Sequence, residues 1–332
     1  MASITFAVPG DIDTPTGGYR YDRAVLGGLR AAGHDVTHLR LGVGFPFPSP
    51  AELDDAAAQL AAVPASQVLI VDGLAFGAMP AAQLAAVKAK MVALVHHPLA
   101  LETGLAPAQA ATLEASERAA LPFAQHVVVT SPHTADTLVA QFGVERTGVT
   151  VALPGLSRRW GETVRAPVSP PLVVSVGSVS PRKGFDVLID ALAGLREMAW
   201  RCEIVGSLAR EGETAQALFA QVARLGLSER IAFRGALEEA QIGALYGAAS
   251  VFALATRYEG FGMVFAEAMA AGLPIVGTTG GAVPGVVPPQ AGRLVPPDDA
   301  PAFAAALGEV LSDADLRAQL GEGARAAGAA FA

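Results

Sequence analysis

Short apolar runs alternate with longer amphipathic stretches along most of the chain. The apolar runs predict ten buried strands, at Ser3–Val8, Gln67–Val71, Met91–Val95, His126–Thr130, Leu172–Val176, Arg201–Val205, Ile231–Arg234, Val251–Ala255, Pro274–Val276 and Gly292–Leu294. Helical patterns fill most of the intervals, among them Tyr19–Ala32, Ala51–Ala62, Ala81–Ala89, Leu105–Leu121 and Ala135–Phe142. Strands that alternate with helices form parallel sheets, and strands covered on both faces are continuously apolar, so we expect an α/β protein with doubly wound sheets.

The alternation pauses once, between Pro154 and Pro171. This segment, PGLSRRWGETVRAPVSPP, holds four prolines, several charges and no clear period, which predicts a linker. A chain of 332 residues has the length of two ordinary domains. We therefore predict one domain at residues 1–160 and a second at residues 161–332. Ligands of such sheets bind beyond the carboxyl ends of the strands, and a cleft between the two domains is the expected site.

Composition narrows the class of partner. The net charge is −8, from 23 Lys and Arg against 31 Asp and Glu. Up to Arg165 there are 11 basic and 14 acidic residues, and the remaining 12 basic and 17 acidic residues follow it. Binding to nucleic acid requires a basic surface, so no nucleic-acid partner is expected. No polybasic patch is visible either, which leaves membrane association open but unsupported.

The sequence predicts a cytoplasmic location. The opening MASITFAVPG lacks the basic and long apolar regions of a signal peptide. No charge-free apolar run reaches the length of about 18 residues that predicts a membrane span. The single cysteine, Cys202, excludes a disulfide within the chain, and its place in a predicted strand indicates a small buried side chain.

The most informative segment is Arg257–Val276, RYEGFGMVFAEAMAAGLPIV. A predicted strand leads into a loop that carries Glu259 and Gly262, and a helix is expected to begin near Met263, with Glu267 early in it. Glycines let the backbone approach a ligand, and the free N–H groups of a first helical turn bind anions. Carboxylates accept hydrogen bonds from sugar hydroxyls. The pattern therefore predicts a diphosphate on the backbone with a sugar on either side.

This segment resembles the Glu-x7-Glu signature of the retaining glycosyltransferases of family 4, which have the GT-B fold of two Rossmann-like domains. The resemblance implies that Glu259 contacts hydroxyls of the transferred sugar and that Glu267 contacts the ribose of the nucleotide. It also implies diphosphate contacts from the backbone of Phe261, Gly262, Met263 and Val264. The expected donor is a nucleotide-diphosphate sugar, with no cofactor and no metal ion.

A second segment, GSVSPRKGFDVLIDAL, follows the predicted strand Leu172–Val176. Arg182 and Lys183 stand before a helix, and adjacent cations at a strand–helix junction suit a diphosphate. The family resemblance implies that an Arg and a Lys after this strand grip the donor phosphates. Many members carry the Arg directly after the glycine, where this chain has Ser178, so Arg182 is the candidate to supply that charge. Gly206 resembles the family's turn near the nucleotide base.

Two further segments predict site residues in the first domain. Gly17 and Gly18 precede an amphipathic helix and open its N-terminus to an anion or to the donor sugar. His96 directly follows a predicted strand, at the position where the family often has a histidine near the reaction centre, and the adjacent His97 stays open as the alternative. Neither is expected to bind a metal, because no carboxylate lies at metal-site spacing and Pro98 prevents a helix that presents both.

The prediction is a retaining glycosyltransferase with an unidentified acceptor, which could be a carbohydrate, a small molecule or a lipid-linked molecule. One alternative is a catalytically impaired nucleotide-sugar-binding protein, because Ser178 departs from the family pattern and the chain ends near where a GT-B helix would cross back to the first domain. The other is an NAD-dependent oxidoreductase. That alternative requires G-x-G-x-x-G after the first strand, and this chain has Gly17-Gly18 instead.

Overall fold

The computed structural model describes residues 1–14, 16–208 and 212–331. The chain divides into two compact units, Met1–Leu153 and Pro154–Ala332. The expected boundary at residue 160 lies at Trp160, a fully buried side chain in the core of the second unit. No helix of the described residues is long and apolar enough to cross a membrane.

The described part of the first unit forms one six-stranded sheet with the order β2-β1-β3-β4-β5-β6, parallel throughout. Its strands are β1 Ser3–Pro9, β2 Asp35–Leu41, β3 Val68–Asp72, β4 Lys90–Val95, β5 His126–Val129 and β6 Val149–Val151. Its α-helices are α1 Gly17–Ala31, α2 Pro50–Ala61, α3 Gly73–Phe76, α4 Ala81–Leu84, α5 Pro107–Ala120 and α6 Pro132–Phe142.

Two strands of this sheet, β2 and β6, are missing from the sequence-based prediction. Both are edge strands, paired on one side only. In β2 only Val36 and Leu41 are buried, and β6 has no fully buried residue. Such strands mix polar with apolar residues and lack the continuous apolar run of a central parallel strand. The predicted helix Ala81–Ala89 is also too long: α4 ends at Leu84, and a tightened turn from Val87 N–H to the carbonyl of Leu84 follows it.

The described part of the second unit forms another six-stranded parallel sheet, with the order β12-β11-β10-β7-β8-β9. Its strands are β7 Leu172–Val176, β8 Arg201–Val205, β9 Ile231–Gly235, β10 Val251–Ala253, β11 Ile275–Thr278 and β12 Gly292–Val295. Its α-helices are α7 Phe185–Gly194, α8 Gly212–Arg224, α9 Glu239–Ala248, α10 Met263–Ala270, α11 Val283–Val286, α12 Ala300–Ser312 and α13 Ala314–Gly328.

The predicted linker Pro154–Pro171 is instead packed onto the second unit. Trp160 lies in a short 3-10 helix, Arg158–Glu162, and its ring centroid is 5.4 Å from that of Tyr246 in α9. Ala166 and Val168 donate backbone N–H groups to the end of the same helix, at 2.9 and 3.0 Å. Burial of Trp160 removes a large apolar area from water. Together with the two backbone hydrogen bonds, it holds a proline-rich segment that has no periodic pattern against the second unit.

Candidate functional site

The second unit brings a lysine and a glutamate together at the carboxyl edge of its sheet. β7 and β10 are neighbours, so the loops that follow them meet. Lys183 ends the 3-10 helix after β7, and its Nζ donates to Oε1 of Glu259 at 2.6 Å. Arg182 Nη1 donates to the other carboxylate oxygen at 3.2 Å. Both Lys183 and Glu259 are buried, with 7% and 5% of their surface exposed, so this ion pair lies out of bulk water.

The carboxylate of Glu259 is held ionised in this position. Burial raises the pKa of Glu259, but the charges of Lys183 and Arg182, with hydrogen bonds from Lys183 and Thr256, outweigh it and lower the pKa below its usual value. Thr256 Oγ1 lies 3.0 Å from Oε1 of the same carboxylate. Nothing in the sequence pattern points to Thr256 except its place just after the strand β10.

Arg257 joins the two loops that carry this cluster. Its guanidinium lies 2.7 Å from Oδ2 of Asp186 at the start of α7 and 2.7 Å from Oδ1 of Asp298. Its backbone N–H donates to the carbonyl of Arg182 at 2.7 Å. These contacts fix the loop after β10 against the loop after β7. A fixed geometry of this kind is what a preorganised binding site requires.

The helix α10 begins beside the ion pair and opens its N-terminus to a ligand. Gly262 is the N-cap residue, with a left-handed φ of 95°, and within the described residues it forms no side-chain capping hydrogen bond. That φ and the nearness of Phe265, 3.0 Å from a Cβ placed there, favour glycine at this position. Met263 and Val264 are half-buried and form the first turn. An uncapped first turn presents N–H groups and a partial positive charge to an anion.

The remaining predicted residues of the second unit lie at the same carboxyl edge of the sheet or in α10. Phe261 is buried just before the helix, and Glu267 is buried within it, with 1% of its surface exposed. Gly206, after β8, approaches the loop after β7 so closely that a Cβ there would lie 1.8 Å from the carbonyl oxygen of Gly177. It also lies against Ser178, whose Cα would be 3.3 Å from that Cβ. The backbone contact explains why a glycine stands at residue 206.

The first unit brings Gly18 and His96 together. Gly17 and Gly18 are the first residues of α1, capped by Thr16, whose Oγ1 accepts a hydrogen bond from Tyr19. A Cβ at Gly18 would lie 3.6 Å from Nε2 of His96, so the glycine leaves the helix N-terminus in contact with the imidazole ring. His96 directly follows β4, and its carbonyl accepts a hydrogen bond from Thr130 Oγ1 at 3.1 Å.

Two buried aspartates flank His96. Its Nε2 is 3.1 Å from Oδ1 of Asp22 in α1 and 3.3 Å from Oδ2 of Asp72 at the end of β3. Burial lowers the pKa of His96, but hydrogen bonds to both carboxylates and their charges outweigh it and raise the pKa to about 10. Burial raises the pKa of Asp22 to about 6, against the opposing effect of His96. The two carboxylates therefore favour the protonated form of the ring.

This cluster corrects one expectation from the sequence. The prediction that no carboxylate accompanies the histidines considered only residues near them in the chain, whereas Asp22 and Asp72 lie 74 and 24 positions before His96. The carboxylate oxygens and the histidine nitrogen lie within 4.8 Å of one another, a spacing at which they could hold a metal ion. A metal ion on Nε2 requires a neutral imidazole, so the metal and the imidazolium exclude each other.

The structure also separates the two candidate histidines. His97 Nε2 lies 3.3 Å from Oε2 of Glu102, a carboxylate with 41% of its side chain exposed. His96 alone contacts Gly18, Asp22 and Asp72. Asp22 and Asp72 are missing from the sequence-based prediction, because an Asp in a helix and an Asp after a strand are common. Their only sequence signal is that Asp72, like His96, directly follows a predicted strand of the same sheet.

Two α/β units with parallel sheets, glycine-rich helix starts and charged clusters at the carboxyl ends of strands are the components that a GT-B protein has. The family model of the glycosyl transferases group 1 matches residues 158–327, which is more than half of the chain, and the chain belongs to this family. The predicted glycosyltransferase family and the predicted GT-B fold are thereby confirmed.

Known proteins agree with this assignment. The chain is 29% identical over 258 residues to the MMP alpha-(1->4)-mannosyltransferase of Mycolicibacterium hassiacum, covering 73% of this chain and 62% of that protein, which is less than two thirds of the relative's length. The sucrose-phosphate synthase of Thermosynechococcus elongatus superposes with a TM-score of 0.82 at 21% identity, over 100% of this chain and 95% of the other. The HepE protein of Anabaena, solved with UDP and glucose, gives a TM-score of 0.75 at 20% identity over the same shares.

Proposed function

We propose that this protein transfers a sugar from a nucleoside-diphosphate sugar to an acceptor hydroxyl, with retention of anomeric configuration. The observation that carries the proposal is the buried carboxylate of Glu259, held between Lys183 and Arg182 beside the uncapped first turn of α10. A negatively charged diphosphate and a polyhydroxyl sugar need this combination of fixed cations, N–H groups and a carboxylate acceptor. The names of the mannosyltransferase relative and of the UDP-bound neighbour support a nucleotide-sugar donor.

In this proposal each group of the second unit has one task. Lys183, Arg182 and the N–H groups of Met263 and Val264 hold the diphosphate. Glu259 accepts hydrogen bonds from hydroxyls of the transferred sugar. The three groups Ser178, Gly206 and Glu267 line the nucleotide, with Glu267 on the ribose. For the first unit, the roles of Gly17, Gly18 and His96 toward the donor sugar stay predictions from the family resemblance.

The proposed reaction breaks the bond between the anomeric carbon and the diphosphate oxygen and forms one to the acceptor oxygen. The acceptor attacks the same face that the diphosphate leaves, and its proton passes to the departing phosphate oxygen, so no enzyme carboxylate needs to form a covalent bond. Negative charge grows on the leaving diphosphate, and fixed cations and helix N–H groups stabilise it most when they are buried. In this proposal Lys183 and Arg182 neutralise the diphosphate without a metal ion.

A nucleotide panel tests the donor site and the alternatives together. UDP, GDP, ADP, dTDP and NAD(H) are each added at a saturating concentration, about 100 times the Kd of a ligand that binds. The melting temperature is then measured. A bound diphosphate should add about 2.7 kcal/mol to the free energy of unfolding. We expect one nucleoside diphosphate to stabilise the protein and the Glu267→Ala variant to lose most of that shift, relative to its own melting temperature.

Glu229→Ala is the matched control, because it removes an exposed glutamate from the same unit. It should keep the full shift. Stabilisation by NAD(H) alone would overturn the proposal in favour of an oxidoreductase. Tight binding of the corresponding nucleoside-diphosphate sugar, with neither its hydrolysis nor transfer of its sugar across a broad acceptor panel, would instead favour a catalytically impaired nucleotide-sugar-binding protein.

A further inference from the structure

A surface cavity of about 570 Å³ lies at the amino edge of the sheet in the second unit. One wall is the segment 165–171, which leads into β7, and another is a face of α13. Ser250 and Pro274, which directly precede β10 and β11, also line it. Lys183 and Glu259 follow β7 and β10, so the cavity and the proposed donor site lie at opposite edges of the sheet. The volume is that of a small-molecule site, about 300–1,000 Å³.

Three arginines, Arg165, Arg317 and Arg325, line the cavity, and Glu322 is the one acidic residue among the described residues that line it. None of the three arginines forms an ion pair within the described part of the chain. The lining therefore carries three positive charges against one negative charge. Like charges repel more strongly where part of the water is removed, and a bound anion relieves that repulsion.

The backbone holds Arg325 at the cavity. Its Nη1 and Nη2 donate to the carbonyls of Gly161 and Ala271, each at 3.2 Å. Gly272 has a left-handed φ of 77°, and a Cβ at this position would lie 2.6 Å from Nη2 of Arg325. The glycine therefore leaves the space in which the guanidinium lies, and a side chain there would displace the arginine.

Arg165 and Arg317 are half-buried and are held in the same way. Arg165 Nη1 donates to the carbonyl of Tyr246, and Arg317 Nη1 donates to that of Leu311 at 2.6 Å. A carbonyl carries only a partial charge, and a guanidinium has five N–H donors, so donors remain for a ligand. Burial, and then the nearby charge of Arg325, lower the pKa of Arg165 to about 10, so the guanidinium stays charged at neutral pH.

We propose that Arg165, Arg317 and Arg325 form a binding site for the phosphate group of a small soluble molecule. A guanidinium binds phosphate through paired N–H donors, and it keeps its charge while doing so. A phosphate group carries nearly two negative charges at pH 7, which matches the excess of positive charge in the lining. The rest of the molecule would lie against the prolines and the Ser169 and Ser250 hydroxyls of the lining. This inference does not rest on the proposed function.

The test is a titration of the whole protein with inorganic phosphate at constant ionic strength, followed by NMR of the arginine Nε–H signals after labelling with ¹⁵N-arginine. The variants Arg165→Gln, Arg317→Gln and Arg325→Gln assign the three signals by their loss. We expect the three signals of the wild type to shift and to saturate with one common Kd. Because each variant removes a charged hydrogen-bond donor, each should weaken phosphate binding about 10- to 100-fold.

A fourth variant keeps the test independent of folding damage. Glu322→Gln changes an exposed residue and removes the one carboxylate of the lining. It should tighten phosphate binding about 2- to 5-fold, the effect of one exposed charge. A damaged fold does not produce a gain in affinity. Arg224→Gln is the matched control, because it removes an exposed arginine of α8 that does not line the cavity, and it should leave the Kd unchanged.

Several outcomes would overturn the proposal. Shifts that grow without saturation, or that chloride reproduces, would mean ionic screening only. A Kd that the three arginine variants leave unchanged would mean that phosphate binds elsewhere, and a titration abolished by Lys183→Ala would mean binding at the proposed donor site. Binding to vesicles that contain phosphatidic acid, with no saturable binding of inorganic phosphate, would mean a membrane contact. The nucleotide panel is unaffected by any of these results.

Discussion

Replacement of Lys183 by alanine is expected to lower kcat/KM for sugar transfer by about 10²- to 10³-fold, the usual loss when one preorganised charge stabiliser is removed. Lys183 is the one lysine of three in the chain that is buried. Its Nζ is 2.6 Å from Glu259 and so lies where the proposed diphosphate meets the sugar. The substitution removes a phosphate contact and half of the charge that keeps Glu259 ionised. The measurement is steady-state kinetics with the nucleotide sugar that the panel identifies.

Two further variants separate the lost contact from a damaged fold. Lys88→Ala removes an exposed lysine and should leave kcat/KM unchanged. Lys183→Ala leaves the buried carboxylate of Glu259 with Arg182 as its remaining cation. Loss of one partner of a buried ion pair costs at most about 3–5 kcal/mol, so Lys183→Ala should also melt at a lower temperature. Adding Glu259→Gln to Lys183→Ala should restore much of that stability and none of the transfer. Near-normal transfer by Lys183→Ala would contradict the assigned role.

The strands that sequence analysis finds include the central strands, which the sheets bury on both faces, and the edge strands β9 and β12 of the second sheet. All five residues of β7 are buried, and its run of apolar residues is interrupted only by Ser175. The strands that it misses, β2 and β6, lie at sheet edges, where backbone pairing on one side holds residues whose side chains remain partly in water. The positions of β2 and β6 are defined by tertiary pairing, which their own local patterns do not show.

The candidate site divides in a similar way. Glu259, Glu267, Arg182 and Lys183 lie in segments whose residue order alone predicts a loop and a helix start. Their contacts follow from the adjacency of β7 and β10, which a parallel sheet makes natural. Asp22 and Asp72 carry no such local signal, and only the meeting of α1, β3 and β4 brings them to His96. Contacts between residues far apart in sequence are the part of a site that the local patterns of a single sequence do not predict.

Replacement of Glu117 by glutamine is expected to stabilise the protein at high pH. Glu117 lies in α5 with 1% of its surface exposed, and its Oε2 accepts the backbone N–H of Leu99 at 2.9 Å, just beyond the His96 loop. Oε1 is buried without a hydrogen-bond partner within the described residues. Burial raises the pKa of Glu117 to about 8, although the Leu99 hydrogen bond opposes it. The native state therefore keeps a carboxylic acid that the unfolded chain ionises at its ordinary pKa.

The direction in which stability changes with pH follows from this difference in pKa. The stabilising effect of a raised pKa is fully present below the unfolded-state value of 4.5 and is lost as pH rises through the folded-state value of about 8. At about 1.4 kcal/mol per pH unit, the free energy of unfolding of the wild type should fall by roughly 3 to 4 kcal/mol between pH 5 and pH 8, relative to Glu117→Gln. The side-chain amide of that variant cannot ionise, and its oxygen keeps the hydrogen bond from Leu99.

Calorimetric melting curves from pH 5 to pH 8.5 measure this difference in the transition of the first unit. The gap between the two proteins should widen steadily with pH and stop growing above pH 8, where the native carboxyl also ionises. Glu114→Gln, which changes an exposed residue of the same helix paired with Arg118, should show no such widening. A difference in the free energy of unfolding that stays constant across this pH range would contradict the prediction. It would mean that Glu117 is already ionised in the folded protein at pH 5.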